Sequence, residues 1–442
     1  MAWQSRNVRQ SQASSPAPRL HLDARPERRL IRPSGSWRHV DFAVRVTDAP
    51  AGERVRSPLR LALVVDRSGS MAGAKLVTAK QAALAVVDRL DERDEAAVVV
   101  FDEYVDVVCP AARMTAANRH QVRTALASVA ARGSTALHEG WLVGCQNVAA
   151  EEPDTGDRLA RCFLLTDGLA NVGLTDPEQI ASQAAGIRDS AGITTSTFGI
   201  GADYDEGLLG PLAVAGGGQF HHLRRPEEIA RTFVGELEGL FAVAARDVRL
   251  EIQATPGVAA EIVSEYWVTP VEGATGWTVP LGDLGAGDER HVVVRFAFPH
   301  GAAGAVQDVR ARLAGIVDGA EAHTGWQALT FTYADHAACD AEPSDPAVMH
   351  WVGLHHADRA EREALQHNRR GDFAAARRKV DAVRRRIATY AGDDHELQER
   401  VATLGALEHT AAAPMPPMVA KEQYAAAQRR SRGQVDHRDP EP

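Results

Sequence analysis

The sequence predicts an α/β fold, in which a doubly wound, mainly parallel sheet is inserted in an antiparallel β-sandwich and followed by a C-terminal helical region. Apolar, strand-like runs alternate with helical patterns between residues 59 and 243. Strand patterns separated by turn residues lie on both sides of this segment, at 19–58 and 244–335. Helical patterns fill residues 345–410. These three observations define the predicted domains.

The sandwich strands are predicted from alternation of apolar and polar residues. Two alternating stretches, "RLHLDARPERRLI" and "WRHVDFAVRVTD", lie within residues 19–58. Two strands cannot bury a core alone, so we expect them to join the strands of residues 244–335. The α/β segment at 59–243 is then an insertion, which is possible because the termini of a domain often lie close together.

The α/β segment is predicted from continuous apolar runs and from helical periodicity. The runs "LRLALVV", "EAAVVVF" and "RCFLLT" indicate strands buried on both faces, and "DVVCP" indicates a shorter edge strand. Leu76, Ala83, Val87 and Leu90 fall on one face of the first predicted helix. Alternation of this kind favours a parallel sheet with helices on both faces.

Helix start and stop signals predict the C-terminal region. A glycine ends the first helix at "NRRG", an aspartate caps the second at "DFAAARRKV", and "DDHELQERVATLGALEHT" is a third helix. Polar composition predicts a disordered N-terminus over residues 1–18. Residues 411–442 are Pro-rich and then basic, so we expect a flexible tail that holds at most one short helix.

Composition excludes several classes of protein. The net charge is −10, with 45% hydrophobic and 24% charged residues and no dominant basic block, which argues against nucleic-acid binding. No apolar run approaches the ~20 residues of a membrane helix. The four cysteines form neither a CxxC pair nor a disulfide framework. We therefore expect a soluble cytoplasmic protein.

A cluster of oxygen side chains follows the first strand of the α/β segment. Asp66, Ser68 and Ser70 alternate directly after "LRLALVV", where the carboxyl end of a central strand is expected. Ligands bind at that edge in open α/β sheets. A carboxylate with hydroxyls suits Mg²⁺ or Mn²⁺ better than a soft metal. The alternative is a helix cap, in which Ser70 or a neighbour caps the helix that follows.

Two further segments place oxygen atoms at the same predicted edge. Thr135 lies in the glycine-containing loop "ARGSTALHEG", and Asp167 directly follows the strand "RCFLLT". Two carboxylates and three hydroxyls would then converge from three loops if the sheet is parallel.

The set Asp66, Ser68, Ser70, Thr135 and Asp167 resembles the metal-ion-dependent adhesion site of von Willebrand factor type A (vWA) domains. The flanking stretches "LVVDRSGSM" and "FLLTDG" are similar to that family as well, as is "FGIGADYDEGLLGPLAVAGGGQFHHL". The resemblance implies a Rossmann-like vWA domain over 59–243. It implies that these five residues hold Mg²⁺, with Mn²⁺ or Ca²⁺ as alternatives, directly or through water. It also implies that an acidic residue of a partner protein completes the coordination.

The wider architecture resembles bacterial proteins described as calcium-activated chloride channel-like and the heavy chains of inter-alpha-trypsin inhibitors. Conduction is not implied, because no segment could span a bilayer. We interpret the protein as a non-enzymatic, divalent-metal-dependent protein-binding scaffold. One alternative is a vWA subunit that couples a partner ATPase to its substrate in a metal-insertion or maturation complex. Another is a structural domain whose metal is incidental.

Other polar residues support weaker hypotheses. Arg67 could pair with the acidic partner, or it could be a solvated surface arginine. His221 and His222 are adjacent on a predicted strand, so they should point to opposite faces and not form a ligand pair. No GxxxxGK[ST] phosphate loop occurs in the sequence, which argues against an NTPase. The run Arg370-Gly371-Asp372 is explained by a glycine stop and an aspartate cap.

Overall fold

The computed structural model describes residues 19–47, 56–150, 158–271 and 275–432. The predicted disordered N-terminus, residues 1–18, lies outside these ranges, as do residues 433–442 of the predicted flexible tail.

The strands of the described chain are, in order, β1 (Arg19–Pro26), β2 (Leu30–Ile31), β3 (Ser36–Thr47), β4 (Leu59–Asp66), β5 (Glu95–Phe101), β6 (Val105–Arg113), β7 (Leu159–Thr166), β8 (Ile193–Ile200), β9 (Gly217–Leu223), β10 (Val243–Ala254), β11 (Ala259–Ile262), β12 (Thr269–Pro270), β13 (Gly276–Gly285), β14 (Glu289–Phe298), β15 (Val306–Val317), β16 (Ala320–His323) and β17 (Gln327–Tyr333).

The helices are α1 (Ala74–Val87), α2 (Ala116–Ser128), α3 (Leu137–Val148), α4 (Pro177–Ala191), α5 (Glu206–Ala215), α6 (Glu228–Phe241), α7 (His336–Ala341), α8 (Pro346–Arg369), α9 (Phe373–Ala388), α10 (His395–Thr410) and α11 (Pro417–Ser431). A short 3-10 helix, Gly69–Met71, precedes α1.

The central sheet is the mainly parallel one that the sequence predicts. Its strand order is β6-β5-β4-β7-β8-β9, and β6 alone is antiparallel to its neighbour. Apolar side chains of α1, α2 and α6 pack on one face, and those of α3, α4 and α5 pack on the other. The sheet is therefore doubly wound, and the buried strands explain the continuous apolar runs.

Two antiparallel sheets form the predicted sandwich around a third core. One sheet has the order β1-β3-β14-β11, and the other has the order β12-β13-β10-β15-β17-β2, with β16 paired to β15. Strand β3 pairs with β14 over ten positions, so the segment before the central sheet joins strands that follow it. The α/β unit is thus an insertion in the sandwich.

The one helix expected in the tail over 411–442 is α11, at residues 417–431, and it is packed against the rest of the protein. Tyr424 and Ala425 of α11 lie in the same core as α5 of the central unit. The buried ammonium of Lys421 contacts the Glu206 carboxylate and the Tyr204 carbonyl. The apolar residues of α11 form only a narrow stripe among Gln, Lys and Arg residues, so the sequence shows little helical periodicity here. The stripe is nevertheless enough to pack the helix against the rest of the protein.

The stretch "VAAEIVSEYWV", residues 258–268, is strand-like in sequence throughout, but β11 ends at Ile262. The chain then turns toward the helical region. The Glu265 backbone amide donates to Ser431 Oγ of α11 at 3.2 Å, and the Glu265 carboxylate pairs with Arg362 of α8 at 2.5 Å. Contacts distant in sequence therefore override the local strand preference.

Candidate metal centre

The five predicted ligands lie at the carboxyl edge of the central sheet. Asp66 is the last residue of β4, and Asp167 directly follows β7, the strand that pairs with β4 in parallel. Thr135 lies in the loop that leads into α3. The parallel register brings these three loops together, as the sequence analysis expected.

The first loop turns tightly so that both serine hydroxyls face each other. The Ser68 amide donates to Asp66 Oδ1 at 2.7 Å, and the Ser68 and Ser70 hydroxyl oxygens are 3.1 Å apart. Helix α1 is N-capped by Gly73 with no side-chain cap hydrogen bond, so neither serine caps it. The alternative interpretation of Ser70 as a helix cap is therefore wrong.

The second loop depends on a glycine and on a brace to the third loop. Gly133 has φ +72°, a left-handed conformation that favours glycine, and a Cβ there would displace the Glu103 carboxylate, whose Oε2 would lie 1.6 Å away. The Thr135 amide donates to Asn171 Oδ1 at 2.9 Å, and the Asn171 amide donates back to the Thr135 carbonyl at 3.2 Å. This exchange fixes the Thr135 loop against the loop after Asp167.

The third loop brings a buried carboxylate next to the hydroxyls. Ser70 Oγ donates to Asp167 Oδ1 at 2.7 Å, and the Lys75 ammonium contacts Asp167 Oδ2. A Cβ built on Gly168 would lie 3.6 Å from both Ser70 Oγ and Thr135 Oγ1. The two hydroxyls therefore approach the same point from separate loops, and Gly168 leaves that point open.

Asp66 lies in an environment that disfavours its charged form. Its side chain is fully buried, and burial raises its pKa to about 6, with the Asp167 charge adding to the increase. The Thr166 hydroxyl, which donates to Asp66 Oδ2 at 2.6 Å, and Ser68 oppose this effect. These neutral donors do not supply a full positive charge, so a bound cation would be favoured here.

Arg67 does not occupy the position that either expectation gave it. Its side chain is buried, its Nε donates to Asp102 Oδ2 at 2.8 Å, and its Nη2 contacts Asp106. Arg132 donates to the same Asp102 oxygen at 2.6 Å. Arg67 is therefore a structural link between loops, neither a rim residue open to a partner nor a solvated surface arginine.

The geometry of the oxygen cluster fits a small divalent cation. Adjacent ligands of an octahedral ion with bonds of about 2.1 Å lie about 3 Å apart, and the Ser68–Ser70 and Ser70–Asp167 oxygen pairs are 3.1 and 2.7 Å apart. Within the described ranges, no group of three or more His, Cys, Asp or Glu side chains could hold a metal. A site here must therefore use hydroxyl oxygens, and it has them.

Sequence reasoning missed three residues that support the cluster: Thr166, Lys75 and Asn171. Thr166 could have been found as the last strand residue before Asp167. Lys75 and Asn171 carry no such signal, because their contacts depend on the placement of α1 and of the third loop. His221 and His222 point to opposite sides as predicted: His221 contacts Glu236 at 3.0 Å, and His222 contacts Tyr204 at 2.7 Å.

Comparison with known proteins identifies the central unit. The family profile of the von Willebrand factor type A domain matches residues 61–232. These residues form a vWA domain. A protein of Synechocystis is 31% identical over 208 residues, which are 47% of this chain and 48% of that protein. The human inter-alpha-trypsin inhibitor heavy chain H4 is 28% identical over 182 residues, which are 39% of this chain and 19% of that protein.

The likeness extends beyond the vWA domain in a solved structure. A von Willebrand factor type A protein from Catenulispora acidiphila superposes with a TM-score of 0.73 at 20% identity, covering 94% of this chain and 98% of that one. At this identity the likeness establishes the shared fold alone. The chain spans about half the length, or less, of the two curated relatives described above. None of the helices in the described ranges is long and apolar enough to cross a membrane.

Proposed function

We propose that the protein is a non-enzymatic, divalent-metal-dependent binding scaffold whose vWA domain accepts an acidic residue of a partner protein. The observation that carries the proposal is the convergence of two fully buried carboxylates and three hydroxyls at one edge of the sheet. Burying carboxylates without full counter-charge is costly, and groups in such an environment are concentrated at functional sites.

Asp66, Ser68, Ser70, Thr135 and Asp167 would hold the ion, and Mg²⁺ fits best because only two of these five ligands are charged. When bound, the ion supplies an electrophilic centre with an open position for an oxygen ligand. Ser70 is the one exposed member of the set, whereas the other four are buried. The open side of the site therefore lies beside Ser70, where a carboxylate from another protein can approach.

The proposal of a binding role, and not of an enzyme, rests on how the serine hydroxyls are used. The Ser70 hydroxyl lies between Ser68 Oγ and Asp167 Oδ1, two oxygens that would bind the same ion, so we assign it as a metal ligand and not as a nucleophile. We propose a cytoplasmic location as well. All four cysteines are unpaired and buried, which suits a reducing compartment.

The test is a pull-down from native lysate with wild-type protein and with the double variant Asp66→Asn/Ser68→Ala, each with Mg²⁺ and with EDTA. A matched control is Asp88→Asn/Ser128→Ala, which makes the same chemical changes at two exposed positions. Circular dichroism checks that all three proteins are folded. The proposal expects a partner that wild type and control hold only with Mg²⁺ and that the site variant loses.

Identical partners in every lane would contradict the metal-dependent mechanism. Capture of an ATPase by the same metal-dependent route would favour the alternative function, in which the domain couples that ATPase to its substrate.

A further inference from the structure

Lys75 places a positive charge on one of the proposed metal ligands. It lies in the first turn of α1, and its ammonium contacts Asp167 Oδ2. Asp167 is fully buried, while the Lys75 side chain retains 28% of its exposure. The ammonium can therefore move from the carboxylate into solvent without leaving a buried cation behind.

The described contacts give Asp66 and Asp167 one cationic side chain between them. Asp66 accepts from the Thr166 hydroxyl and the Ser68 amide, both neutral. The two arginines of the adjoining loops donate to Asp102 and Asp106 instead. Two carboxylates and one ammonium leave the cluster with a formal charge of −1.

We propose that Lys75 is a counter-cation built into the metal site, and that a divalent ion must displace its ammonium from Asp167. This inference rests on the proposed function, because it assumes that the ion binds between these ligands. Lys75 then acts as a positioning residue that sets the affinity of the site, and it is not itself a metal ligand.

The charge balance predicts a coupling between metal and partner. With a divalent ion and Lys75 nearby, the formal charge of the site is +1, whereas without the lysine it is zero. The lysine therefore weakens metal binding, because like charges repel, and at the same time strengthens attraction for an acidic partner. Metal and partner carboxylate should bind cooperatively, so that the site binds its ion weakly until the partner is present.

The experiment measures binding of Mn²⁺ alone by electron paramagnetic resonance at neutral pH. The variants are Lys75→Met, which removes the charge, and Lys75→Arg, which keeps it. Lys80→Met is the matched control, because Lys80 lies on the same helix and donates to the Val129 carbonyl at 2.9 Å, away from the cluster. Thermal unfolding with and without Mn²⁺ gives a second readout.

We expect Lys75→Met to bind Mn²⁺ about tenfold more tightly than wild type, since a nearby positive charge is removed. Lys75→Arg and Lys80→Met should stay within about twofold. The metal-free melting temperature of Lys75→Met should fall, and Mn²⁺ should raise it more than in wild type. Should Lys75→Met fail to fold, Lys75→Gln replaces it with the same expected result.

Mn²⁺ binding to Lys75→Met that is unchanged or weaker than that of wild type would overturn the inference and leave the proposed function standing. Absence of Mn²⁺ binding in both wild type and Lys75→Met would overturn both. The two failures are therefore distinguishable in one titration series.

Discussion

Two pairs of buried carboxylates in this protein are compensated in different ways. At the sheet edge, Asp66 and Asp167 share one ammonium, that of Lys75. In the helical region, Asp358 and Glu361 of α8 are bonded to two guanidiniums. Arg430 donates to them at 3.0 and 2.8 Å, and Arg400 donates to Glu361 at 3.0 Å and also contacts Asp358.

This difference distinguishes a candidate metal site from a group of ion pairs that only holds helices together. Two guanidiniums balance the charges of the Asp358–Glu361 pair, and these ion pairs join α8, α10 and α11. No negative charge is left for a ligand to neutralise. The Asp66–Asp167 pair lacks one positive charge and borders three hydroxyls. Buried carboxylates alone are therefore a poor indicator of function, whereas incomplete compensation beside further oxygen ligands is an informative one.

Removing one cation from the charge-balanced Asp358–Glu361 pair should have the largest effect on stability. Arg400→Met leaves Asp358 and Glu361 with one guanidinium, that of the half-exposed Arg430, and should lower the free energy of unfolding by about 3–5 kcal/mol. Urea unfolding with and without Mg²⁺ measures it. The loss should be the same in both conditions, and a loss that Mg²⁺ reverses would contradict the separation of the two pairs.

Removing one charge from the Asp66–Asp167 pair should change stability in a way that depends on Mg²⁺, unlike the change at Asp358–Glu361. Asp66→Asn removes a buried charge and keeps an acceptor for the Ser68 amide, so metal-free stability should be maintained or increased. The stabilisation by Mg²⁺, about 2.7 kcal/mol for wild type at a hundred times Kd, should disappear. Thermal unfolding over a Mg²⁺ series tests this, with Asp358→Asn as the control that loses stability but keeps its response to Mg²⁺.

Acid should destabilise the helical region through its buried histidines. Burial lowers the pKa of His355 and of His356 to about 3, from an ordinary 6.5. Below pH 6.5 the unfolded chain takes up protons that the folded chain refuses, so stability falls as the pH drops from 6.5 toward 3. The slope should be at most about 1.4 kcal/mol per pH unit for each histidine.

The acid prediction is tested by urea unfolding at pH 7 and pH 5. His355→Phe should flatten the pH dependence, whereas His120→Phe, at an exposed position on α2, should leave it unchanged. An equal slope in His355→Phe and wild type would show that other groups cause the acid sensitivity.

An exposed ion pair should show the smallest effect and so calibrate the others. Arg123 and Asp88 are 3.0 Å apart, with about half of each side chain exposed. Arg123→Ala should change the free energy of unfolding by no more than about 0.5 kcal/mol, because solvent screens such pairs. A larger change, measured by the same urea titration, would mean that surface charge contributes more to this protein than the buried pairs suggest.

The parts of the fold with strong periodicity could be predicted from the sequence. Buried strands such as β4, β5 and β7 are continuous apolar runs, and α8 and α9 carry their proline, glycine and aspartate signals. Helix α11 could not be placed, because its docking depends on Tyr424 and on one buried ion pair between Lys421 and Glu206. The premature end of β11 likewise depends on partners far away in the chain.

At the candidate site, the ligand types could be predicted and their charge balance could not. Alternating oxygens after a strand, together with the parallel sheet, are enough to bring the three loops to one edge. Whether Arg67 or Lys75 supplies the nearby cation depends on side-chain direction. The structure turns Arg67 toward Asp102 and Lys75 toward Asp167, which no spacing rule predicts.

The most direct test of the account is an anomalous difference map from a crystal soaked in Mn²⁺. The account predicts one peak about 2.2 Å from the Ser68 and Ser70 hydroxyl oxygens, with the Lys75 ammonium moved away from Asp167. An empty cluster at saturating Mn²⁺, with Lys75 still on Asp167, would contradict it.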